Sequence, residues 1–383
     1  MKRVWQINLQ TGFGGGEIYT VFLTHALEAC GITSEVVISR QAEHWQQMLP
    51  VTARIHKVDA SDQVSSLLPQ NKSWVLSHGG LGENLARSLA DRHCLTGIAH
   101  MPLYGRRADG FAHHHRVYGV STYVRDSLLA FLRPDQVYPN PLYGIARGDI
   151  RRDGQSILRQ QSRYDWDRRK GRDRLLGCLE PLLEPLRSRP VWQAREGISL
   201  GIVSRLTPIK QFPLLFSYLV PQLLARPVFN LEVFGAGGYA SVRDLSQVLR
   251  PLGSRVRYWG HQADVGTAYG CLDYLLTGLP EKEALGLNVI EAQSCHLPVL
   301  AISAPPFTET VLAGQTGYFY RDPREDQGAD FLRLLDDLST GPALFNDPST
   351  VECHLKQFTA DALKDRIVRL LRDPLLSFLA TQS

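Results

Sequence analysis

The sequence lacks the features that mark secreted, zinc-binding and membrane-spanning chains. Its six cysteines include no Cys-x-x-Cys pair, and several lie in apolar runs. They therefore predict buried, reduced thiols of a cytoplasmic protein, and not a disulfide framework or a zinc site. Residues 1–9 contain no signal-peptide core, and no apolar run is long enough to span a bilayer. Any membrane contact is expected to be peripheral.

Net charge is also low, at +4 for 383 residues, with 21% charged and 44% hydrophobic side chains. This balance excludes disordered and fibrous classes, and the length favours two domains. Basic residues concentrate in 141–196, which carries 13 basic and 8 acidic side chains, including Arg151-Arg152 and residues 168–170. The segment is compatible with contact to anionic membrane lipid or a phosphate-bearing acceptor, and equally with an ordinary solvated surface.

Short apolar strands alternate with helical runs, which predicts two doubly wound parallel sheets of the α/β class. A linker or insertion rich in arginine and proline separates the two series at about 145–196, and a last helical run covers 361–379. The predicted strands are 4–9, 34–39, 74–77, 97–100 and 117–120 in the first series, and 198–203, 231–234, 256–259, 274–277, 299–302 and 317–320 in the second.

The most informative segment follows the strand at 274–277 and contains two carboxylates eight positions apart, Glu283 and Glu291. Gly286 permits a tight turn, and a helix is predicted to begin directly after it. The free N–H groups of such a helix start suit a diphosphate, whereas carboxylates would repel one and instead accept hydrogen bonds from hydroxyl groups. A diphosphate flanked by two polyhydroxylated rings is a nucleotide-sugar.

This segment resembles the donor-binding motif of retaining GT-B glycosyltransferases, in particular family 4, the glycosyl transferases group 1. Members have two glutamates separated by seven residues before an Ala-rich helix and a Leu-Pro-Val strand. The resemblance implies that Glu283 contacts the transferred sugar and Glu291 holds the ribose. Amides near Gly286, Leu287 and Asn288 would steady the diphosphate.

The segment also departs from the motif. Glu281-Lys282 replaces a usual Pro-Ser region, Ala284-Leu285 stands where Gly-Phe is common, and His296 occupies a usual glycine position. The change at Ala284 and Leu285 is compatible with an altered donor preference, while both glutamates and the helix start are retained.

Two cations follow the first strand of the second series. Arg205, as a fork, and Lys210, as a point charge, are placed to clamp a diphosphate at the carboxyl end of that strand. They resemble the Gly-Arg-Leu and Lys-Gly elements that bracket the donor phosphates in the family, with Ser204 and Gln211 in place of the glycines. An exposed pair of loop cations is the plainer interpretation.

The first series offers a glycine loop and a histidine. Gly14, Gly15 and Gly16 allow close backbone approach to a ligand at a helix start, although a glycine loop is also compatible with a simple tight turn. His100 is the last residue of a predicted strand, at the carboxyl end, where open α/β sheets bind ligands. The resemblance implies that the loop closes over the donor diphosphate and that His100 faces the transferred sugar; a structural histidine is the alternative.

A second glycine pattern at 235–240 loosely fits a dinucleotide fingerprint and leaves an NAD(P)-dependent oxidoreductase, or a sugar-nucleotide-modifying enzyme, as an alternative. The following strand ends without the acidic residue that would hold a nicotinamide-cofactor ribose. The pattern also resembles the family's Gly-x-Gly turn at Gly235, and His261 would then lie near the nucleotide base.

No catalytic metal is expected. Asp165-Trp-Asp167 matches an Asp-x-Asp cation motif but lies in the basic segment, away from the carboxyl end of any predicted strand. The run His113-His-His115 is predicted to be a polar surface turn. No cofactor is expected besides the nucleotide-sugar co-substrate.

The resemblance implies a GT-B fold, with the active cleft between two Rossmann-like domains. These are an acceptor domain at 1–190 that includes the basic insertion, a donor domain at 197–360, and a C-terminal helix at 361–383 that packs back on the first domain. The implied reaction transfers a hexose-type sugar with retention to a saccharide or lipid-linked acceptor. We expect a cytoplasmic enzyme with possible peripheral contact to anionic membrane and no nucleic-acid partner. An inactive nucleotide-sugar-binding protein remains a third alternative.

Overall fold

The computed structural model describes residues 2–12, 14–42, 45, 48–146, 150, 158–166, 171, 174–178, 189–339, 344–345 and 347–381. The chain divides into two compact units. The first comprises Met1–Ala146, Glu283–Leu287 and Lys356–Ser383, and the second comprises Arg147–Lys282 and Asn288–Leu355. The basic runs Arg151-Arg152 and 168–170 lie outside the described residues.

The described part of the first unit contains a parallel sheet with strand order β3-β2-β1-β4-β5-β6. Its elements are β1 (Lys2–Asn8), α1 (Gly15–Ala29), β2 (Ile32–Ser39), β3 (Arg54–Val58), α2 (Val64–Leu67), β4 (Trp74–His78), α3 (Glu83–Arg92), β5 (Cys94–Ala99), β6 (Arg116–Gly119) and α4 (Thr122–Leu129). The sequence missed β3. It is an edge strand whose residues are mostly half-buried, and it lacks the continuous apolar run of a central strand.

The second unit contains a parallel sheet of the same order, β12-β11-β10-β7-β8-β9. Its strands are β7 (Ile198–Val203), β8 (Phe229–Phe234), β9 (Val256–Gly260), β10 (Tyr274–Leu276), β11 (Val299–Ile302) and β12 (Gly317–Tyr320). Its helices are α5 (Phe212–Ala225), α6 (Tyr239–Leu249), α7 (Val265–Gly270), α8 (Leu287–Ser294), α9 (Phe307–Thr310), α10 (Pro323–Asp326), α11 (Ala329–Leu338) and α12 (Pro348–Leu355). The predicted α/β architecture of two Rossmann-like sheets is confirmed.

Both faces of the second sheet are buried, which explains its continuous apolar strands. In β11, Val299 and Ala301 belong to one apolar cluster while Leu300 and Ile302 belong to another. Successive side chains of a strand point to opposite faces, so two separate clusters must cover the sheet. All strands of each sheet run in one direction, and the loops that follow them therefore start from a common edge.

The last part of the chain belongs to the first unit. The run predicted at 361–379 divides into α13 (Ala360–Leu370) and a 3₁₀ segment (Pro374–Thr381). Leu363, Ile367 and Leu370 are buried in the apolar cluster of the first unit. The domain limits predicted from the sequence stay a prediction. None of the described helices combines the length and apolarity that crossing a bilayer requires.

His296 follows the end of α8 in a left-handed backbone conformation, with a φ of 54°. Its N–H donates to the Gln293 carbonyl at 2.9 Å, and the Leu297 N–H donates to the Ala292 carbonyl at 2.9 Å. This pair of bonds defines a Schellman motif, and Leu297 and Ala292 supply its apolar contact. His296 stands where the resembled motif usually has glycine, and the backbone keeps the conformation that glycine favours.

We predict that His296→Gly is more stable than His296→Ala by about 1 kcal/mol in free energy of unfolding. Both substitutions remove the imidazole and its contact with the Phe345 ring, whose centroid is 5.3 Å away. Only glycine also removes the Cβ that disfavours positive φ. Urea denaturation of the whole chain, followed by circular dichroism, measures the difference; equal midpoints for the two variants would contradict this account of the helix end.

Candidate functional site

Helix α8 begins at Leu287, directly after Gly286, whose φ of 83° makes the predicted tight turn. Glu291 is half-buried in this helix, and the Tyr269 hydroxyl lies 3.1 Å from its Oε2 and 3.2 Å from the Asn288 carbonyl. Burial, reinforced by the Glu291 carboxylate, raises the pKa of Tyr269 well above its usual range. The phenol is therefore protonated at neutral pH, and its single proton is available to orient Glu291 or to bond the helix start.

The loop from Glu283 to Leu287 belongs to the first unit, although both flanking segments belong to the second. The Ser121 hydroxyl donates to the Ala284 carbonyl at 2.6 Å. A Cβ built on Gly144 would lie 3.2 Å from a Leu285 methyl and 3.3 Å from a Leu287 methyl, so both leucines pack on this glycine. Glu283 thus begins a loop whose next residues are anchored.

Arg205 and Lys210 occupy the connection between β7 and α5. Arg205 is exposed, and Lys210 is half-buried at the end of a 3₁₀ turn, Pro208–Lys210. The Asn288 side-chain amide donates to the Val203 carbonyl at 3.1 Å, which joins the start of α8 to the end of β7. Because β10, which precedes α8, pairs with β7, the two connections begin at neighbouring positions on one sheet edge.

The glycine pattern after β8 has a clear packing role. Gly235 has a φ of 140° and donates its N–H to the Gly260 carbonyl at 2.7 Å. A Cβ on Gly235 would lie 1.8 Å from the Ser204 carbonyl oxygen, and one on Gly237 would lie 1.9 Å from that of Leu206. These glycines let the turn after β8 approach the turn after β7, whether or not Gly235 also binds a ligand.

Part of the predicted insertion lies against the same edge of the second unit. The Gln161 N–H donates to the Trp259 carbonyl at 2.9 Å, and the Gly237 N–H donates to the Arg163 carbonyl at 3.1 Å. Tyr164 stacks on Trp166, with ring centroids 4.8 Å apart. No local pattern in the sequence predicted this contact. His261 is exposed directly after β9, and its predicted place beside a nucleotide base stays a prediction.

In the first unit, the glycine loop leads into α1. Gly14 is the residue before the helix and supplies no side-chain cap, while Gly15 and Gly16 form its first turn. Among the described residues, no side chain caps this helix start. A Cβ on Gly16 would lie 3.6 Å from the ring of His100, which follows β5. The glycine loop and His100, predicted separately from the sequence, therefore meet.

His100 also contacts a second histidine, His78, which ends β4. Their Nε2 and Nδ1 atoms, respectively, are 3.1 Å apart, and the ring planes differ by 13°. Burial lowers the pKa of His100 to about 4. Burial, and secondarily His100, lowers the pKa of His78 well below its usual range. Both imidazoles are therefore neutral at pH 7, so neither supplies positive charge to a ligand.

His78, Gln6 and Tyr269 were missed as candidates. His78 could have been found by the rule that selected His100, because it too stands at the carboxyl end of a strand; the predicted strand stopped one residue short of it. Gln6 lies inside β1 and its side chain is buried, and no local pattern distinguishes it from a packing residue. Tyr269 reaches Glu291 from α7, a contact that sequence spacing does not reveal.

Within the described ranges, no group of three or more His, Cys, Asp and Glu side chains could hold a metal ion. Asp165 is exposed, and Asp167 lies outside the described residues. The prediction of a polar surface turn at 113–115 is wrong for His114, which is buried. Its Nε2 lies 2.8 Å from the Ser77 hydroxyl, and burial lowers its pKa to about 3.

In the second unit, two cations and the start of α8 thus lie along one sheet edge. In the first unit, the start of α1, which begins with glycines, lies beside a neutral histidine. The cations and free N–H groups suit an anion such as a diphosphate. The carboxylates and the histidine suit hydroxyl groups.

Residues 197–337 match the family model described as glycosyl transferases group 1. No curated protein sequence is similar enough to count as a relative. The matched range contains Arg205, Lys210, Glu283 and Glu291.

Several solved structures resemble the whole chain. HepE (Alr3699) from Anabaena, in complex with UDP and glucose, has a TM-score of 0.68 at 15% identity, covering 97% of this chain and 100% of that one. A glycosyltransferase from Rickettsia africae ESF-5 has a TM-score of 0.69 at 13% identity, covering 98% and 99%. The lipopolysaccharide outer core galactosyltransferase WaaB, in its apo form, has a TM-score of 0.64 at 15% identity, covering 96% and 98%. The chain therefore has the GT-B glycosyltransferase fold, and its residues 197–337 match the group 1 glycosyltransferases.

Proposed function

We propose that this protein is a retaining glycosyltransferase of family 4 that moves a hexose-type sugar from a nucleoside-diphosphate-sugar to an acceptor hydroxyl. The observation that carries the proposal is the joint placement of Arg205, Lys210 and the start of α8 on one sheet edge, within the range that matches the family model. This arrangement supplies an anion site on the sheet edge where α8 begins, and α8 carries the carboxylate of Glu291, which suits hydroxyl groups.

The roles in the second unit follow from charge. Arg205 and Lys210 neutralise the diphosphate, the N–H groups near Leu287 and Asn288 donate to it, and Glu291, oriented by Tyr269, accepts from the ribose hydroxyls. In the first unit, Glu283 and His100 accept from sugar hydroxyls, and the amides of the glycine loop donate to the diphosphate. A neutral His100 suits this role because a neutral imidazole has one nitrogen that can accept a hydrogen bond from a hydroxyl, whereas a protonated imidazole has none.

The reaction needs no protein nucleophile in this proposal. The bond between the sugar C1 and the diphosphate oxygen breaks, and the acceptor oxygen bonds to C1 on the same face. The acceptor proton passes to the departing diphosphate. Stabilisation of the charge that develops on the leaving group is the main catalytic contribution, and Arg205 and Lys210 supply it without a metal ion.

We propose a saccharide or lipid-linked acceptor, in polysaccharide, lipopolysaccharide or glycolipid synthesis, and a cytoplasmic location with peripheral contact to anionic membrane. The similarity to WaaB, described as a lipopolysaccharide outer core galactosyltransferase, supports this choice of acceptor class. The basic run of the insertion supports the membrane contact on grounds of charge alone.

The oxidoreductase alternative gains no support. A dinucleotide fingerprint uses its glycine N–H groups on the pyrophosphate, whereas Gly235 and Gly237 donate theirs to backbone carbonyls. Strand β9 is followed by His261 and not by an acidic residue.

A thermal-shift panel with UDP, GDP, ADP, CMP and NAD(H) tests the proposed class, because a ligand that binds the native state raises its melting temperature. We expect a shift with one nucleoside diphosphate, and transfer from the matching sugar donor with the anomeric configuration kept, read from the proton NMR spectrum of the product. A shift with NAD(H) alone, or an inverted product, would overturn the class or the stereochemistry respectively.

We predict that Glu283→Gln lowers turnover on the order of 10²-fold or more while the melting temperature stays within a few degrees. The glutamine amide keeps the size of the side chain, but it lacks the negative charge that makes a carboxylate a strong hydrogen-bond acceptor. Glu281→Gln is the matched control, since Glu281 is a half-buried glutamate two positions away that pairs with Arg324. Comparable turnover for the two variants would remove Glu283 from the site.

Arg205→Gln and Lys210→Gln should each weaken binding of the nucleoside diphosphate by about ten- to a hundred-fold, the scale of one hydrogen bond to a charged group. Isothermal titration measures the change. Arg243→Gln serves as control, because this exposed arginine on α6 pairs with its neighbour Asp244. If Arg205→Gln and Arg243→Gln have the same affinity, Arg205 does not clamp the phosphates.

A further inference from the structure

We propose that Gln6 and His78 are positioning residues that hold His100 in its Nε2–H tautomer, so that His100 Nδ1 accepts a hydrogen bond from a hydroxyl of the bound sugar. The tautomer follows from the hydrogen bonds within the first unit. The role toward sugar rests on the proposed function.

The chain of reasoning starts at Thr24, a buried residue of α1. Its hydroxyl donates to the Thr20 carbonyl at 2.7 Å, so its single proton is committed. The Gln6 side chain lies 2.9 Å from the same oxygen. Since Thr24 can only accept there, the Gln6 atom facing it must be the NH₂ group. This group also lies 2.9 Å from the Ser34 hydroxyl, which can accept in the same way.

The orientation of Gln6 then sets the protonation of His78. With its NH₂ group turned toward Thr24, Gln6 presents its carbonyl oxygen to His78 Nε2, 2.9 Å away. A carbonyl oxygen can only accept, so His78 carries its proton on Nε2 and leaves Nδ1 bare. The Thr20 hydroxyl, 3.0 Å from Nδ1, must then share its proton between Nδ1 and the Gly16 carbonyl at 2.8 Å, because its oxygen and a bare Nδ1 would otherwise repel.

The bare Nδ1 of His78 lies 3.1 Å from His100 Nε2. Two lone pairs at this distance would repel, so His100 must carry its proton on Nε2 and donate it to His78. The pKa values of both rings are lowered, so neither ring is doubly protonated at neutral pH. Each ring therefore has one N–H donor and one acceptor nitrogen, as this arrangement requires. The remaining nitrogen of His100, Nδ1, is therefore an acceptor.

Nδ1 of His100 is available for this purpose. In the part of the chain that the structure describes, it has no hydrogen-bond partner, and it does not belong to the buried unpaired polar atoms. The ring packs over Gly16 in the first turn of α1, where the helix N–H groups begin. An acceptor therefore stands beside a set of donors, which is the combination that a sugar joined to a phosphate requires.

Two-bond proton–nitrogen correlation spectra of the ¹⁵N-histidine-labelled protein at pH 7 read the tautomers directly, with signals assigned from His78→Asn and His100→Asn. We expect a single Nε2–H tautomer for both residues. Addition of UDP-glucose, but not of UDP, should shift the bare Nδ1 signal of His100 upfield. A protonated Nδ1 on His100, or equal shifts with UDP and UDP-glucose, would overturn the proposal.

His78→Asn and His78→Leu test the consequence for catalysis. The asparagine and leucine side chains have the same branched shape, and both lose the hydrogen bond to the Gln6 carbonyl. Only asparagine keeps a hydrogen-bond acceptor at the position of His78 Nδ1. We expect His78→Asn to keep the Nε2–H tautomer of His100 and to stay within about threefold of the native kcat/KM. In His78→Leu, His100 should populate both tautomers, and kcat/KM should fall about ten-fold, the scale of one hydrogen bond.

The outcomes separate this proposal from the proposed function. Equal activity of the two variants, with transfer intact in the native protein, would overturn the positioning role and leave the glycosyltransferase assignment standing. Absence of transfer from any nucleotide-sugar would overturn that assignment, while the spectra of the free protein would still decide whether Gln6 and His78 fix the tautomer of His100.

Discussion

Parallel strand pairing is the constraint on which the rest of this structure depends. When every strand of a sheet runs the same way, each connection must leave from the same edge, and residues far apart in sequence begin their loops as neighbours. In the second unit this brings the connection after β7, with Arg205, next to the one that follows β10 and starts α8. In the first unit it brings His100, which follows β5, next to His78 at the end of β4 and next to Gly16 in the connection after β1. No single segment would build either cluster.

The candidate residues of the two units differ in their electrostatics. Those of the second include two cations, an exposed arginine and a half-buried lysine. Those of the first include a neutral pair, because burial prevents His78 and His100 from holding an extra proton at pH 7. A buried neutral network costs little only when each donor meets an acceptor, and the succession from Thr24 through Gln6 to His78 satisfies that condition. The same condition removes the freedom of His100 to change tautomer.

Local patterns predicted the sheets well, whereas the candidate site depends on contacts between distant segments that such patterns do not show. Strands β7 and β11 were predicted to the residue because continuous apolar runs mark strands buried on both faces. The edge strand β12, whose two middle residues are half-buried, was also predicted to the residue. Strand β3 was missed because an edge strand need not be apolar throughout. The sequence could place Glu283 on a loop, but not in the first unit, because the packing of Leu285 and Leu287 on Gly144 joins residues about 140 positions apart. Gln6 could not be recognised for the same reason, since its partners come from α1, β2 and β4.

The departures from the resembled motif do not argue for a lost activity. Gln211 and His296 both stand where glycine is usual, and both have positive φ values, 53° and 54°. The backbone therefore keeps the glycine conformation, and only a side chain has been added. Ala284 and Leu285, the other substituted pair, are buried, with Ala284 in the apolar cluster of the first unit. A change at these positions alters how the loop packs, whereas the sequence keeps a glutamate both at the start of the loop, Glu283, and on α8, Glu291.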